Sequence, residues 1–210
     1  MSSSIASKIV RIQPQHTALF VCDIQERFAN AIYSFDSVVK TANKMIKAAA
    51  ILKLPVYTTE QAPKALGSTV APLSSHLSSL PPPSTIIPKT RFSMILPDST
   101  PQWLQEANVK SVLIVGIEAH VCVLQTTLDL LQRGVEVHVL ADGVSSCNAG
   151  EKGVALERMR QAGAQITTSE SALFQLLEDA SHPNFKAISG LIKEEKQPTK
   201  EAVEALLGKL

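Results

Sequence analysis

The sequence predicts a three-layer α/β/α domain built on a mostly parallel, doubly wound sheet. Apolar runs of strand length alternate with helix-length segments nearly throughout the chain, the pattern of βα units. The strongest of these runs are continuous rather than alternating, as in parallel strands covered on both faces. A chain of 210 residues with 45% hydrophobic residues suits one domain with a sizeable core.

Residues 17–23, Thr-Ala-Leu-Phe-Val-Cys-Asp, read as a buried strand ending in an acid. Asp36 or Ser37 caps a helix that runs to about Lys53, with Val39, Ala42, Met45, Ile46 and Ala49 on one face. Residues 55–59 form the next strand. Residues 61–88 are rich in Pro and Ser and weakly periodic, with a stiff Pro81-Pro82-Pro83, and are expected to be a long functional or mobile loop. A short strand, 84–88, closes that loop. Thr100 and Pro101 suit a helix start, giving a helix to about Asn108.

Residues 111–116, Ser-Val-Leu-Ile-Val-Gly, read as a buried strand. A tight loop and a helix carrying Cys122 in its first turn follow, and Gly134 stops that helix. Residues 135–140 alternate as a strand. A helix over 148–161, a strand over 164–168 and a helix over 169–180 complete the set. The expected organisation is an N-terminal extension over 1–16, the domain over 17–180, and a polar C-terminal appendage, docked or loose, over 181–210.

Composition excludes several classes. The net charge is +1 and the basic residues are scattered, so no electrostatic case for nucleic acid arises. No apolar run approaches membrane-span length. Gly-rich phosphate motifs are absent, which argues against nucleotide binding by that route. Three cysteines, Cys22, Cys122 and Cys147, form no paired spacing and indicate a reducing, cytoplasmic compartment. The first 16 residues contain serines, Lys8 and Arg11 without an acid, as a short mitochondrial presequence would, although an ordinary frayed terminus is the commoner reading.

In a doubly wound sheet, ligands bind outside the carboxyl ends of the strands. Asp23 ends the first strand, Lys89 follows the third and Cys122 follows the fourth, so topology brings a carboxylate, an ammonium and a thiol to one edge. At the start of a helix, free N–H groups and the dipole favour a thiolate and can hold an oxyanion. The Asp can take the thiol proton, while the Lys favours the thiolate and steadies the Asp charge. A lone buried cysteine is more often a core residue, and the conjunction of the three carries the catalytic reading.

Around these residues stand Val21-Cys22-Asp23-Ile24-Gln25, Lys89-Thr90-Arg91-Phe92-Ser93 and Gly116-Ile117-Glu118-Ala119-His120-Val121-Cys122-Val123. In this order and spacing they resemble the isochorismatase-like cysteine hydrolases, in particular the isochorismatase-domain-containing branch, over about residues 15–180. The resemblance implies an Asp23–Lys89–Cys122 triad, a cis Ile117–Glu118 peptide, and an oxyanion hole formed by the N–H groups of Glu118 and Cys122. It also implies a homo-oligomer. Members that lack the cysteine hydrolyse a vinyl ether, so Cys122 points instead to an amide or related C–N bond cleaved through a thioester. Nicotinamidases of the family bind metal through histidines, but the corresponding Thr58-Thr59-Glu60-Gln61 has none, so neither a metal nor another cofactor is expected.

Gln25, Arg91, Phe92 and His120 are the candidates for substrate contact. Each has a plainer alternative: loop hydrogen bonding for Gln25, packing or an ion pair for Arg91 and Phe92, a surface loop for His120. Strand alternation places Cys22 on the face opposite Asp23, as core. Cys147 reads as a bystander, and His16, His76, His138 and His182 share no ligand spacing. The expected function is a small-molecule hydrolase. A non-catalytic interaction protein and a nuclease are the alternatives, the latter without an acidic metal cluster or basic groove to support it.

Overall fold

The computed structural model describes residues 10–208. The first nine residues of the presequence-like segment lie outside the described residues. Six strands form one parallel sheet: β1 (Thr17–Cys22), β2 (Val56–Gln61), β3 (Thr85–Lys89), β4 (Ser111–Ile117), β5 (Glu136–Ser145) and β6 (Gln165–Thr167), in the order β3-β2-β1-β4-β5-β6. The chain moves outward from β1 to β3, then returns to pair β4 with β1 and moves the other way. The switch point therefore lies between β1 and β4.

Alternation along β1 divides the core. Leu19 and Val21 enter one apolar layer with Leu113 and Val115 of β4. Helix α1 (Phe35–Leu52) covers that layer with Val38, Ala42, Met45 and Ile46. Ala18, Phe20 and Cys22 enter the other layer with Val112 and Ile114. That second face is covered by α4 (Thr100–Glu106), α5 (Leu124–Gln132) and α6 (Ala149–Gln161), through Leu104, Leu130 and Leu156. Because β1 is buried at all six positions, its sequence had to be a continuous apolar run rather than an alternating one.

Two segments are more ordered than the sequence predicts. The Pro/Ser-rich stretch holds two short helices, α2 (Pro63–Leu66) and α3 (Ala71–Leu77). Each starts at a proline in its first turn, where the missing N–H costs nothing, and α3 buries Leu73 and Leu77. Such short helices leave little periodicity to read. Strand β5 runs to Ser145 instead of ending at Leu140. Asp142-Gly143 lies beyond the expected strand end, but Thr41 Oγ1 donates to the Asp142 carbonyl and Ser169 N–H donates to the Asp142 carboxylate. The chain passes straight through, with a register shift against β4.

Residues 181–208 are docked. After α7 (Ser169–Leu177), α8 (Phe185–Glu194) buries Ile188 and Leu191, and α9 (Lys196–Leu207) buries Ala202 and Leu206. Lys47 of α1 pairs with Glu194 and Glu195 at 3.1 and 2.8 Å, Lys40 pairs with Glu201 at 2.9 Å, and Lys44 Nζ donates to Thr199 Oγ1 at 2.7 Å. At the far end Lys152 Nζ, almost fully buried, donates to the Leu206 carbonyl at 2.6 Å. Burial lowers the Lys152 pKa to about 8, against partial opposition from Asp142. A folded-state value below the unfolded one means that the unfolded chain binds more protons in between, so stability rises from about pH 8 to about 10.5. Lys44, lowered by its own burial, contributes in the same sense. Lys152→Met should flatten its share of this rise, about 3 kcal/mol, in denaturant titrations across that range.

Gly116 is where β4 comes closest to β1. It pairs with Cys22 at φ +126°, and a Cβ there would lie 2.1 Å from the Cys22 carbonyl oxygen. Backbone on both sides cannot yield. Gly116→Ala should cost about 3 kcal/mol or more, read as a lowered denaturation midpoint.

Candidate active site

The switch point is where three polar side chains meet. Asp23 directly follows β1, Lys89 is the last residue of β3, and Cys122 lies in a single π-helical turn, Ala119–Val123, between β4 and α5. Two strand spacings of about 4.8 Å separate β3 from β1, so the long lysine stem is what allows its ammonium to cross β2. Lys89 Nζ lies 2.7 Å from Asp23 Oδ2 and 3.7 Å from Cys122 Sγ. Lys89 and Asp23 are almost wholly buried, and Cys122 is 7% exposed.

Every polar atom of this centre is held. Asp23 Oδ1 accepts from Thr59 Oγ1 at 2.8 Å. Lys89 Nζ also donates to Gln61 Oε1 at 2.7 Å and to the carbonyls of Arg91 and Phe92 at 3.0 and 2.9 Å. Burial works against the lysine charge, but attraction to the Asp23 carboxylate, with which it also hydrogen-bonds, and to the Cys122 sulfur outweighs it, leaving the Lys89 pKa raised. The ammonium is therefore a permanent feature of the site below the ordinary lysine range.

The Ile117–Glu118 peptide is cis. The Glu118 carbonyl accepts from Val121 and Val123, both at 3.1 Å, which winds the π turn, and Thr126 Oγ1 donates to the Cys122 carbonyl at 2.6 Å. Cys122 thus stands on a wider turn just ahead of α5 rather than in the first turn of an ordinary α-helix.

Cys22 is a correction. It does not lie away from Asp23: its Sγ is 3.6 Å from Asp23 Oδ2, and it shares an apolar layer with Cys122. Asp23 adopts φ +51°, so the extended backbone ends at Cys22 and the alternation that would separate the two side chains stops there. Burial, the neighbouring Cys122 thiol and the Asp23 charge raise the Cys22 pKa well above its usual value, so this thiol stays protonated.

The four residues read as candidates for substrate contact divide. Gln25 is fully buried and its amide is taken up by loop backbone: Nε2 donates to the Gln61 and Gly67 carbonyls, and Oε1 accepts from the Gln61 N–H. It braces the ends of β2 and α2. Arg91 lines a groove of ≈ 640 Å3 beside the edge strand β3, together with Lys64 and Asp98, and what it gives the buried centre is its carbonyl. Phe92 is 52% exposed next to the site. His120 is partly buried, with Nδ1 2.9 Å from Ser146 Oγ and Nε2 3.3 Å from Glu151 Oε2. Glu118 sends its carboxylate to the Cys147 N–H at 2.8 Å.

Fold and centre together define an α/β/α protein with a buried Asp–Lys–Cys cluster at its switch point. The isochorismatase domain matches residues 17–171, and the chain belongs to the isochorismatase family and has its hydrolase fold. It is 46% identical to human isochorismatase domain-containing protein 2 over 189 residues, covering 88% of this chain and 86% of that protein. It is equally similar, 46% over 193 residues and 91% of each chain, to a Phytophthora sojae protein named secreted isochorismatase effector Isc1. Among solved structures, the MAR1 ribonuclease from Caenorhabditis elegans superposes with a TM-score of 0.81 at 46% identity, covering 88% of this chain and 93% of that one. An octameric Escherichia coli hydrolase of unknown specificity shares the fold, with a TM-score of 0.83 at 20% identity and 93% and 96% coverage.

Proposed function

We propose that the protein hydrolyses an amide or related C–N bond in a small molecule through a Cys122 thioester. The observation that carries this reading is Lys89 Nζ, placed between the Asp23 carboxylate and the Cys122 sulfur at 2.7 and 3.7 Å. Asp23 takes the thiol proton and the sulfur attacks the carbonyl carbon. The ammonium faces both the carboxylate and the charge that the sulfur acquires. The N–H groups of Glu118 and Cys122 receive the carbonyl oxygen as it becomes an oxyanion. Protonated Asp23 then gives its proton to the leaving nitrogen. Water, deprotonated by the same carboxylate, attacks the thioester and releases the acid and Cys122.

Phe92 and His120 border the centre and are assigned to substrate contact. Neither a metal nor another cofactor takes part in these steps. The assembly is proposed to be a homo-oligomer in a reducing, cytoplasmic compartment, in keeping with the octameric fold relative and with three free cysteines. Among the described residues, no helix is long and apolar enough to cross a membrane.

The test is a panel of small amides and carbamoyl compounds assayed with and without EDTA. Turnover of one class, unchanged or raised by the chelator and absent in Cys122→Ala, supports the reading. Turnover that EDTA abolishes and zinc restores contradicts it, as does cleavage of RNA by a protein inert towards every amide.

A further inference from the structure

Two neighbouring strand ends bring soft and hard metal ligands together on the rim of the centre. Glu118 and His120 follow β4, while Cys147 and Glu151 span the junction from β5 to α6. One ligand atom from each of Glu118, His120 and Cys147 lies within 4.8 Å of the others. Glu151 Oε2 borders this group, 3.6 Å from Cys147 Sγ and 3.3 Å from His120 Nε2. Tetrahedral zinc, with bonds of about 2.0–2.3 Å, needs neighbouring ligand atoms about 3.3–3.8 Å apart. The Glu151 distances to Cys147 Sγ and His120 Nε2 already meet that requirement, and Glu118, which faces Nδ1, completes the set by a side-chain shift towards the same ring nitrogen. Such a shift is within reach, because the side chains of Glu118, His120 and Glu151 are 22%, 28% and 44% exposed and Cys147 is exposed too.

The charge balance also favours a cation. The ion-pair partner of both carboxylates is His120, with Nδ1 4.0 Å from Glu118 Oε2 and Nε2 3.3 Å from Glu151 Oε2, so two carboxylates face one imidazole. We propose that Glu118, His120, Cys147 and Glu151 form a binding site for one zinc-like divalent transition-metal ion. A Cys/His/carboxylate set is the donor chemistry that zinc takes in preference to calcium or magnesium. Cys147 is a free thiol and would bind as the thiolate. Binding forms the metal–sulfur bond and sends the thiol proton to solvent.

The site is separate from the nucleophile but coupled to it. Glu118 supplies the proposed oxyanion N–H, and His120 stands two residues before Cys122. A bound ion therefore fixes the segment that must receive the oxyanion, and it inhibits. That consequence rests on the hydrolase reading, whereas metal binding itself does not.

The experiment uses Zn2+ competition against a chromophoric chelator and Co2+ absorption in the thiolate charge-transfer region. Wild type and Cys122→Ala should each take up one ion per chain and show the thiolate band. Cys147→Ser should lose the band and bind Zn2+ at least about tenfold more weakly, and Glu151→Gln should also weaken binding. In turnover assays, Zn2+ should inhibit wild type while sparing Cys147→Ser, whose basal activity is unchanged. A band lost in Cys122→Ala and kept in Cys147→Ser would place the ion on the nucleophile and overturn the proposal. So would failure of wild type to retain Zn2+ at micromolar concentration.

Discussion

Cys122→Ala is expected to reduce hydrolysis to the uncatalysed background, a loss of about 10^4-fold or more. Its thiol is the nucleophile in the proposed mechanism, and no oxygen or second thiol stands in the same position. Cys22 is close by, but it is fully buried and its raised pKa keeps it protonated. The fold should survive the change. Lys89 keeps Asp23, Gln61 and two carbonyls as partners, so removing the sulfur leaves no charge stranded. A change in unfolding free energy below about 1.5 kcal/mol, together with abolished turnover, is the combined expectation. Denaturant melts and steady-state rates on the same preparation check it.

Asp23→Asn should fail in two ways at once. The base is lost, which costs roughly 100-fold or more in rate. The buried Lys89 ammonium also loses its counter-charge, and breaking one side of a buried ion pair costs about 3–5 kcal/mol. The lower end of that range is expected, because Gln61 Oε1 and the Arg91 and Phe92 carbonyls still accept from the ammonium. The sign of the pH dependence identifies the cause. In the wild type the raised Lys89 pKa contributes stability at neutral pH that is lost as pH rises beyond the ordinary lysine range. In the Asn variant burial acts with less opposition and lowers the lysine pKa. The stability deficit should then shrink towards alkaline pH as Lys89 sheds its proton. A deficit that stays constant from pH 7 to 10 would point to altered packing instead.

What the sequence made legible was the placement of chemistry at strand ends. Asp23, Lys89 and Cys122 sit in three separate motifs, yet each terminates an apolar run, and a parallel sheet has one carboxyl edge. What stayed hidden depends on backbone angles and on contacts between loops. Nothing in Val21-Cys22-Asp23 announces that Asp23 takes a positive φ, which is why alternation misplaced Cys22. The alternation that marks the strand stops at Leu140, and its continuation through Asp142-Gly143 rests on Thr41 and Ser169, 101 and 27 residues away, which satisfy Asp142. Gln25 has the same form whether it faces substrate or braces a loop. The cluster of Glu118, His120, Cys147 and Glu151 has no ligand spacing along the chain, and the pairing of β4 with β5 assembles it.

The central claim is that the Asp23–Lys89 pair makes Cys122 a nucleophile, and site-resolved alkylation tests it without a known substrate. Native protein is pulsed with iodoacetamide at neutral pH, quenched, and digested for mass spectrometry of the three cysteine peptides. Cys147 is exposed, but the Glu118 hydrogen bond raises its pKa, and Cys22 is both buried and raised. On simple accessibility Cys147 would react first. The mechanism predicts that the nearly buried Cys122 reacts fastest, and that Asp23→Asn removes this advantage while leaving the Cys147 rate unchanged. Labelling of Cys147 first, with Cys122 modified only as the protein unfolds, would contradict it.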